Sequence, residues 1–88
     1  MEDQAIKTAF DVYELVDGLK TELNKNGFTD LAAELDDAMH LGSSGLEILG
    51  AIRNIFVEHR ADIVKLLGPR GESEVNSVVS FVDSSFGL

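Results

Sequence analysis

From residue 44 to residue 67 the chain can be written as one long helix that is apolar over most of its circumference, and few folds accommodate such an element. Leu49, Ile52, Phe56, His59, Ile63 and Leu66 recur at steps of three and four, flanked by Ile48, Ile55 and Leu67. A second stripe of Leu46, Gly50, Val57 and Val64 lies about 120° away at 100° per residue. Only Glu47, Asn54, Glu58, Asp62 and Lys65 make a clear polar face. Such a helix belongs at the centre of a bundle or in half of a dimer contact. Gly68 and Pro69 stop it, and the pattern leaves room for a break near Asp62.

The entry to this helix, "HLGSSGLEILGAIRNIF", invites a phosphate-cradle reading that its chemistry opposes. A P-loop needs a lysine after its last glycine, and no lysine lies between Lys25 and Lys65. Ser44-Gly45-Leu46-Glu47 fits the S-x-x-E capping box, in which serine and glutamate satisfy each other's amides. Glu47 also places negative charge where an anion would have to bind. The loop starts a helix.

Asn26-Gly27, Gly42-Ser43-Ser44-Gly45 and Gly68-Pro69-Arg70-Gly71 cut the chain into four segments. The first, about residues 3–26, repeats Ala5, Ala9, Val12, Val16, Leu19 and Leu23 at helical steps, with Ile6, Phe10 and Tyr13 widening that side. Gly27 ends it. The second, about residues 30–41, buries Leu31, Leu35, Ala38 and Met39, turns Glu34, Asp36, Asp37 and His40 outward, and can be capped by Thr29 or Asp30. The last, about residues 72–84, is rich in β-branched residues. Val75, Val78, Val79, Val82 and Phe86 nevertheless mark one helical face, and a lone strand would have nothing to pair with. Phe81 falls off that face and is expected at the surface.

The expected fold is therefore all-α: one domain, a small four-helix bundle with helix three central. Eighty-eight residues at 44% hydrophobic content supply one core and not two. Without cysteine there is no disulfide and no thiolate site. The N-terminus carries acids where a signal peptide has bases, and no stretch approaches the ~20 apolar residues of a membrane span. These features suit a cytoplasmic protein that neither spans a membrane nor carries a cleaved signal.

Sixteen acids against seven bases give a net charge of −9, which repels phosphate backbones and argues against direct nucleic-acid binding. The imbalance is concentrated. Between Lys25 and Arg53 there is no Lys or Arg, while Asp30, Glu34, Asp36, Asp37 and Glu47 fall in that gap. An acidic field of this kind steers a basic partner. Arg53 and Arg60, seven apart between the two apolar stripes, either pair with acids of the first two helices or contact a partner, arginine being enriched in interface hot spots.

Catalytic chemistry finds little support. Asp37 with His40, and His59 with Asp62, are i, i+3 pairs of a kind that can share a metal. Bundle di-metal sites, however, draw about four inward carboxylates and two histidines together. No triad order of Ser, His and Asp stands out. No enzyme activity, cofactor or metal is expected, and the candidate partner-binding residues are Asp30, Glu34, Asp36, Asp37 and Arg53.

Residues 25–60 resemble a group of small bacterial helical proteins whose pattern is L-A-x-E-L-x-x-A followed by G-S-[ST]-x-x-E-I-L-x-x-[IL]-R. The matching positions are Leu31, Ala32, Glu34, Leu35, Ala38, Gly42, Ser43, Ser44, Glu47, Ile48, Leu49, Ile52 and Arg53. Where that pattern often has an aromatic after the arginine, this chain has Asn54. The resemblance implies a bacterial helical protein and no particular chemistry. Leu41-Gly42-Ser43-Ser44-Gly45-Leu46 also resembles the L-G-x-D-S-L of acyl carrier proteins, but Gly45 stands where the carrier's attachment serine would be. Nuclease-toxin immunity proteins are similar in size, charge and helical class.

The function these features favour is binding of a basic protein, as an inhibitor, immunity protein or adaptor. The alternatives are a carrier-like domain without its serine in register, or a self-associating structural protein in which a second copy is the partner. The capping reading itself is testable: Ser44→Ala should cost about 1 kcal/mol of stability in a thermal or denaturant melt.

Overall fold

The computed structural model describes residues 6–41 and 45–86. Gly42, Ser43 and Ser44, and with them the capping box and the carrier-like loop, lie outside the described residues, as does Ala5. The described chain is all helical and contains no strand: α1 (Ala9–Lys25), α2 (Thr29–Met39), α3 (Gly45–Glu58), α4 (Arg60–Leu67) and α5 (Pro69–Ser85).

Four helices were expected and five are found, because the long apolar segment is broken at His59. There the backbone turns to φ −108°, ψ 23°, three residues before the Asp62 position that the pattern suggested. The break is shallow in hydrogen-bond terms. The His59 amide still donates to the Ile55 carbonyl at 2.9 Å and the Ile63 amide to the His59 carbonyl at 3.0 Å. The third helix is thus not the sole centre. α1 packs chiefly on α2, α2 on α3, α3 on α4 and α5, and α4 on α5.

Local chemistry sets the other boundaries. α1 begins at Ala9 rather than near residue 3, because Thr8 and Asp11 close a capping box: the Asp11 amide donates to the threonine hydroxyl, and the Thr8 amide to the Asp11 carboxylate. Its C-terminus is a Schellman motif. The Phe28 amide donates to Leu23 O at 2.8 Å and the Gly27 amide to Asn24 O at 3.4 Å, with Gly27 at φ 87°. α2 then starts at Thr29 with Phe28 in the cap position and no side-chain cap, so neither Thr29 nor Asp30 serves as one.

At the α4–α5 corner only Gly68 makes the turn, at φ 69°. Pro69 opens α5 at its first position, where its missing amide costs nothing. Gly71, which reads as part of a turn, is instead buried in the first turn of α5. A Cβ there would stand 2.7 Å from the Ile63 carbonyl oxygen, so its absence lets the backbones of α4 and α5 approach closely.

The core is the periodic set: Val12, Val16, Leu19, Leu23, Leu31, Leu35, Ala38, Leu49, Ile52, Phe56, Ile63, Val75, Val78 and Val82 are buried, joined by Ala32. Three aromatics depart from expectation, Phe86 among them, which is 46% exposed just past the end of α5. Phe10 is 74% exposed, edge-on to Tyr13, while Phe81 is half-buried against the core. Phe86, at the end of α5, lies over Gly50, where an added Cβ would meet its ring at 3.4 Å.

The same substitution should act in opposite directions at two glycines. Gly71→Ala should destabilise by about 1–3 kcal/mol through the backbone clash with Ile63. Gly18→Ala, with nothing near its added Cβ, should stabilise α1 by up to about 1 kcal/mol. Ile52→Ala, fully buried, should cost about 2–4 kcal/mol. Chemical denaturation of the three variants checks the order and the signs.

Candidate functional site

The acids singled out from the sequence share the outer arc of α2, and all four of Asp30, Glu34, Asp36 and Asp37 are exposed. Their phases separate them. At 100° per residue Asp30 and Asp37 lie within about 20° of each other, Asp36 is turned towards one flank and Glu34 towards the other. The fold gives the two flanks different partners.

On the α1 flank, Lys20 Nζ donates to Asp36 Oδ1 at 2.8 Å and lies 3.5 Å from Asp17. This pair crosses a polar groove of ≈ 560 Å³ between α1 and α2. The Lys20 hydrogen bond, and after it the lysine's charge, hold the Asp36 carboxyl below its ordinary value, and the same hydrogen bond raises the Lys20 ammonium. His40 turns its Nδ1 to the Asp36 carbonyl at 2.8 Å, so the Asp37–His40 pair considered from the sequence is not brought together.

On the opposite flank, Glu34 Oε1 lies 3.4 Å from His59 Nε2, and Asp62 Oδ2 lies 3.7 Å from His59 Nδ1. Glu58 joins them: one donor atom each from Glu34, Glu58 and His59 fall within 4.8 Å of one another. The His59–Asp62 pair was legible from spacing. Glu34 and Glu58 were not, because no local pattern tells which face of α2 meets the α3–α4 break.

Arg53 sits apart from the acids of α2. Its Nε donates to Asp83 Oδ1 at 2.7 Å, with both side chains about one-third exposed. Arg60 donates to Asn76 at 2.7 Å and reaches Glu72 at 3.5 Å. Both arginines therefore pair with α5, not with the first two helices. Arg53 occupies the middle of an outward strip on α3 that runs from Leu46 through Gly50 and its covering Phe86 to Val57. Leu46 is 52% and Val57 47% exposed. Among the described residues, no helix is long and apolar enough to cross a membrane, and no buried side-chain polar atom lacks a partner.

No family model, curated protein or solved structure matches the chain.

The Lys20–Asp36 pair carries a pH signature with a definite sign. Asp36 is shifted down, so its contribution is present above the ordinary carboxylate range and is lost as pH falls through its folded-state value. Asp36→Asn should therefore lower the melting temperature slightly at neutral pH, and the difference should shrink at an acid pH below the ordinary carboxylate range, as the wild-type carboxyl takes up its proton. Paired thermal melts at the two pH values provide the check.

Proposed function

We propose that this chain is a protein-binding module that presents the outer arc of α2 to a basic protein, as an inhibitor, immunity protein or adaptor does. The observation that carries the reading is the distribution of counter-charges. Lys20, Arg53, Arg60 and Arg70 are each held in ion pairs within the chain. Asp30 and Asp37, by contrast, are exposed and form no ion pair among the described residues. Two acids of the base-free interval are thus left facing outward on α2 without an internal counter-charge, in a chain of net charge −9, where they raise the encounter rate with a cationic surface. The module reading needs no catalytic group. The likeness of residues 25–60 to small bacterial helical proteins is compatible with it and names no partner.

A second reading follows from one specific observation, the strip of Leu46, Phe86 and Val57 around the Arg53–Asp83 pair. Apolar residues about half exposed beside an arginine are the composition of an interface core. Here the partner is a second copy of the chain, and a size that grows with concentration in sedimentation velocity would identify it.

The test of the first reading is charge reversal where no internal pair is disturbed. Asp36 is unsuitable because a lysine there would face Lys20. Asp30→Lys with Asp37→Lys should leave the thermal melt nearly unchanged. It should slow association with the partner captured by wild type from its native cell extract by about tenfold or more at low salt, with little effect on dissociation. An unchanged association rate at low salt would refute the role given to α2.

A further inference from the structure

The second flank of α2 carries a cluster that the partner reading does not account for. His59 stands at the break between α3 and α4 with a carboxylate opposite each ring nitrogen, Glu34 at 3.4 Å from Nε2 and Asp62 at 3.7 Å from Nδ1. Neither distance is that of a charge-assisted hydrogen bond, which lies near ~2.7–2.9 Å. The imidazole is nonetheless largely sheltered, its side chain 27% exposed between carboxylates that are about half exposed.

From these distances we infer that Glu34, Glu58 and His59 form a binding site for a divalent transition cation, zinc being the reference ion, with Asp62 as the residue that orients the imidazole. Three arguments support it. The first is metric: two donors each bonded at ~2.0–2.1 Å to a tetrahedral ion are about 3.3–3.4 Å apart, and Glu34 Oε1 and His59 Nε2 are 3.4 Å apart.

The second is the backbone. Consecutive side chains on a continuous helix diverge by about 100° and do not face one another. Glu58 ends α3 and His59 is the junction residue. Together with Glu34 from the neighbouring helix, their donor atoms gather within 4.8 Å. The third is the donor set. A histidine whose far nitrogen faces a carboxylate is the usual support for a metal-bound imidazole, fixing its tautomer and orientation.

Charge agrees with this assignment. Three carboxylates surround one histidine. Arg60, next in the chain, is turned away to Asn76 and Glu72. An imidazole among the donors favours zinc and its first-row neighbours over calcium or magnesium, which take oxygen ligands. Water completes the coordination. The inference stands independently of the partner reading, although Glu34 belongs to both surfaces.

The experiment is isothermal titration of the untagged protein with zinc alone, alongside imidazole NMR. His40, the other histidine, serves as an internal control. One zinc per chain should bind, shifting the His59 ring resonances and not those of His40. Asp62→Asn should weaken binding about tenfold or more, and Glu58→Gln and His59→Gln by more than that, while Asp30→Asn with Asp37→Asn changes nothing.

Glu58 is exposed, so its variant keeps the test decisive even where His59→Gln disturbs the fold. Two results would overturn the site. One is wild-type affinity in Glu58→Gln. The other is equal binding of calcium together with loss of affinity in the Asp30/Asp37 variant, which would reveal only the general attraction of an acidic surface. Loss of zinc binding in Glu58→Gln with unchanged partner association would separate this site from the acidic face.

Discussion

The structure depends on the bend at His59. A straight helix over residues 45–67 would run about 34 Å at 1.5 Å per residue, against a longest dimension of 33 Å for the whole molecule. Its far end would have projected beyond α1 and α5, each of 17 residues, with Ile63, Leu66 and Leu67 uncovered. Breaking after Glu58 returns those residues to the core, where Ile63 is fully buried and Leu66 and Leu67 pack against the cluster. The bend keeps hydrogen bonds across the junction, so it costs little backbone pairing. The sharp turn at Gly68 and the bare Cα of Gly71 then let α5 close against α4.

The bend also sets the electrostatic layout. In a continuous helix Glu58 and His59 would point apart, and His59 would remain on the core stripe with Phe56 and Ile63. At the junction the imidazole is instead half-buried at the edge, between Glu34 of α2 and Asp62 of α4. Arg60 is committed to α5. The arginines that reach α5 and the lysine that reaches Asp36 are held in ion pairs, while Asp30 and Asp37 stay exposed on α2 outside any ion pair among the described residues. Packing and surface charge are in this sense one arrangement, because ion pairs between helices consume the scarcer sign.

Much of this was legible in the sequence. Val12, Val16, Leu19 and Leu23, Leu31 and Leu35, and Val75, Val78 and Val82 are buried as their spacing dictates, since a 3.6-residue period can place only one face inward. The helical state of the valine-rich last segment followed from spacing against propensity. The outward phase of Asp30, Glu34, Asp36 and Asp37 was likewise local information, and so was the left-handed turn at Gly27.

What the sequence could not decide was which faces meet. The base-free interval from Lys25 to Arg53 is real along the chain, yet Lys20 reaches into it from α1 to hold Asp36 at 2.8 Å. Arg53 and Arg60 find their acids on α5, 30 and 12 residues away. Phe10 faces solvent and Phe81 turns inward against the periodic expectation for each, and Gly71 is a packing residue rather than a turn. Helical periodicity determines which side of each helix is apolar, and in this chain it did so correctly for nearly every core position. The site of the break in the long apolar segment and the meeting of Glu34, Glu58 and His59 were decided by tertiary packing. They depend on how long a rod the other helices can cover, and that is a property of the assembled volume rather than of any local run of residues.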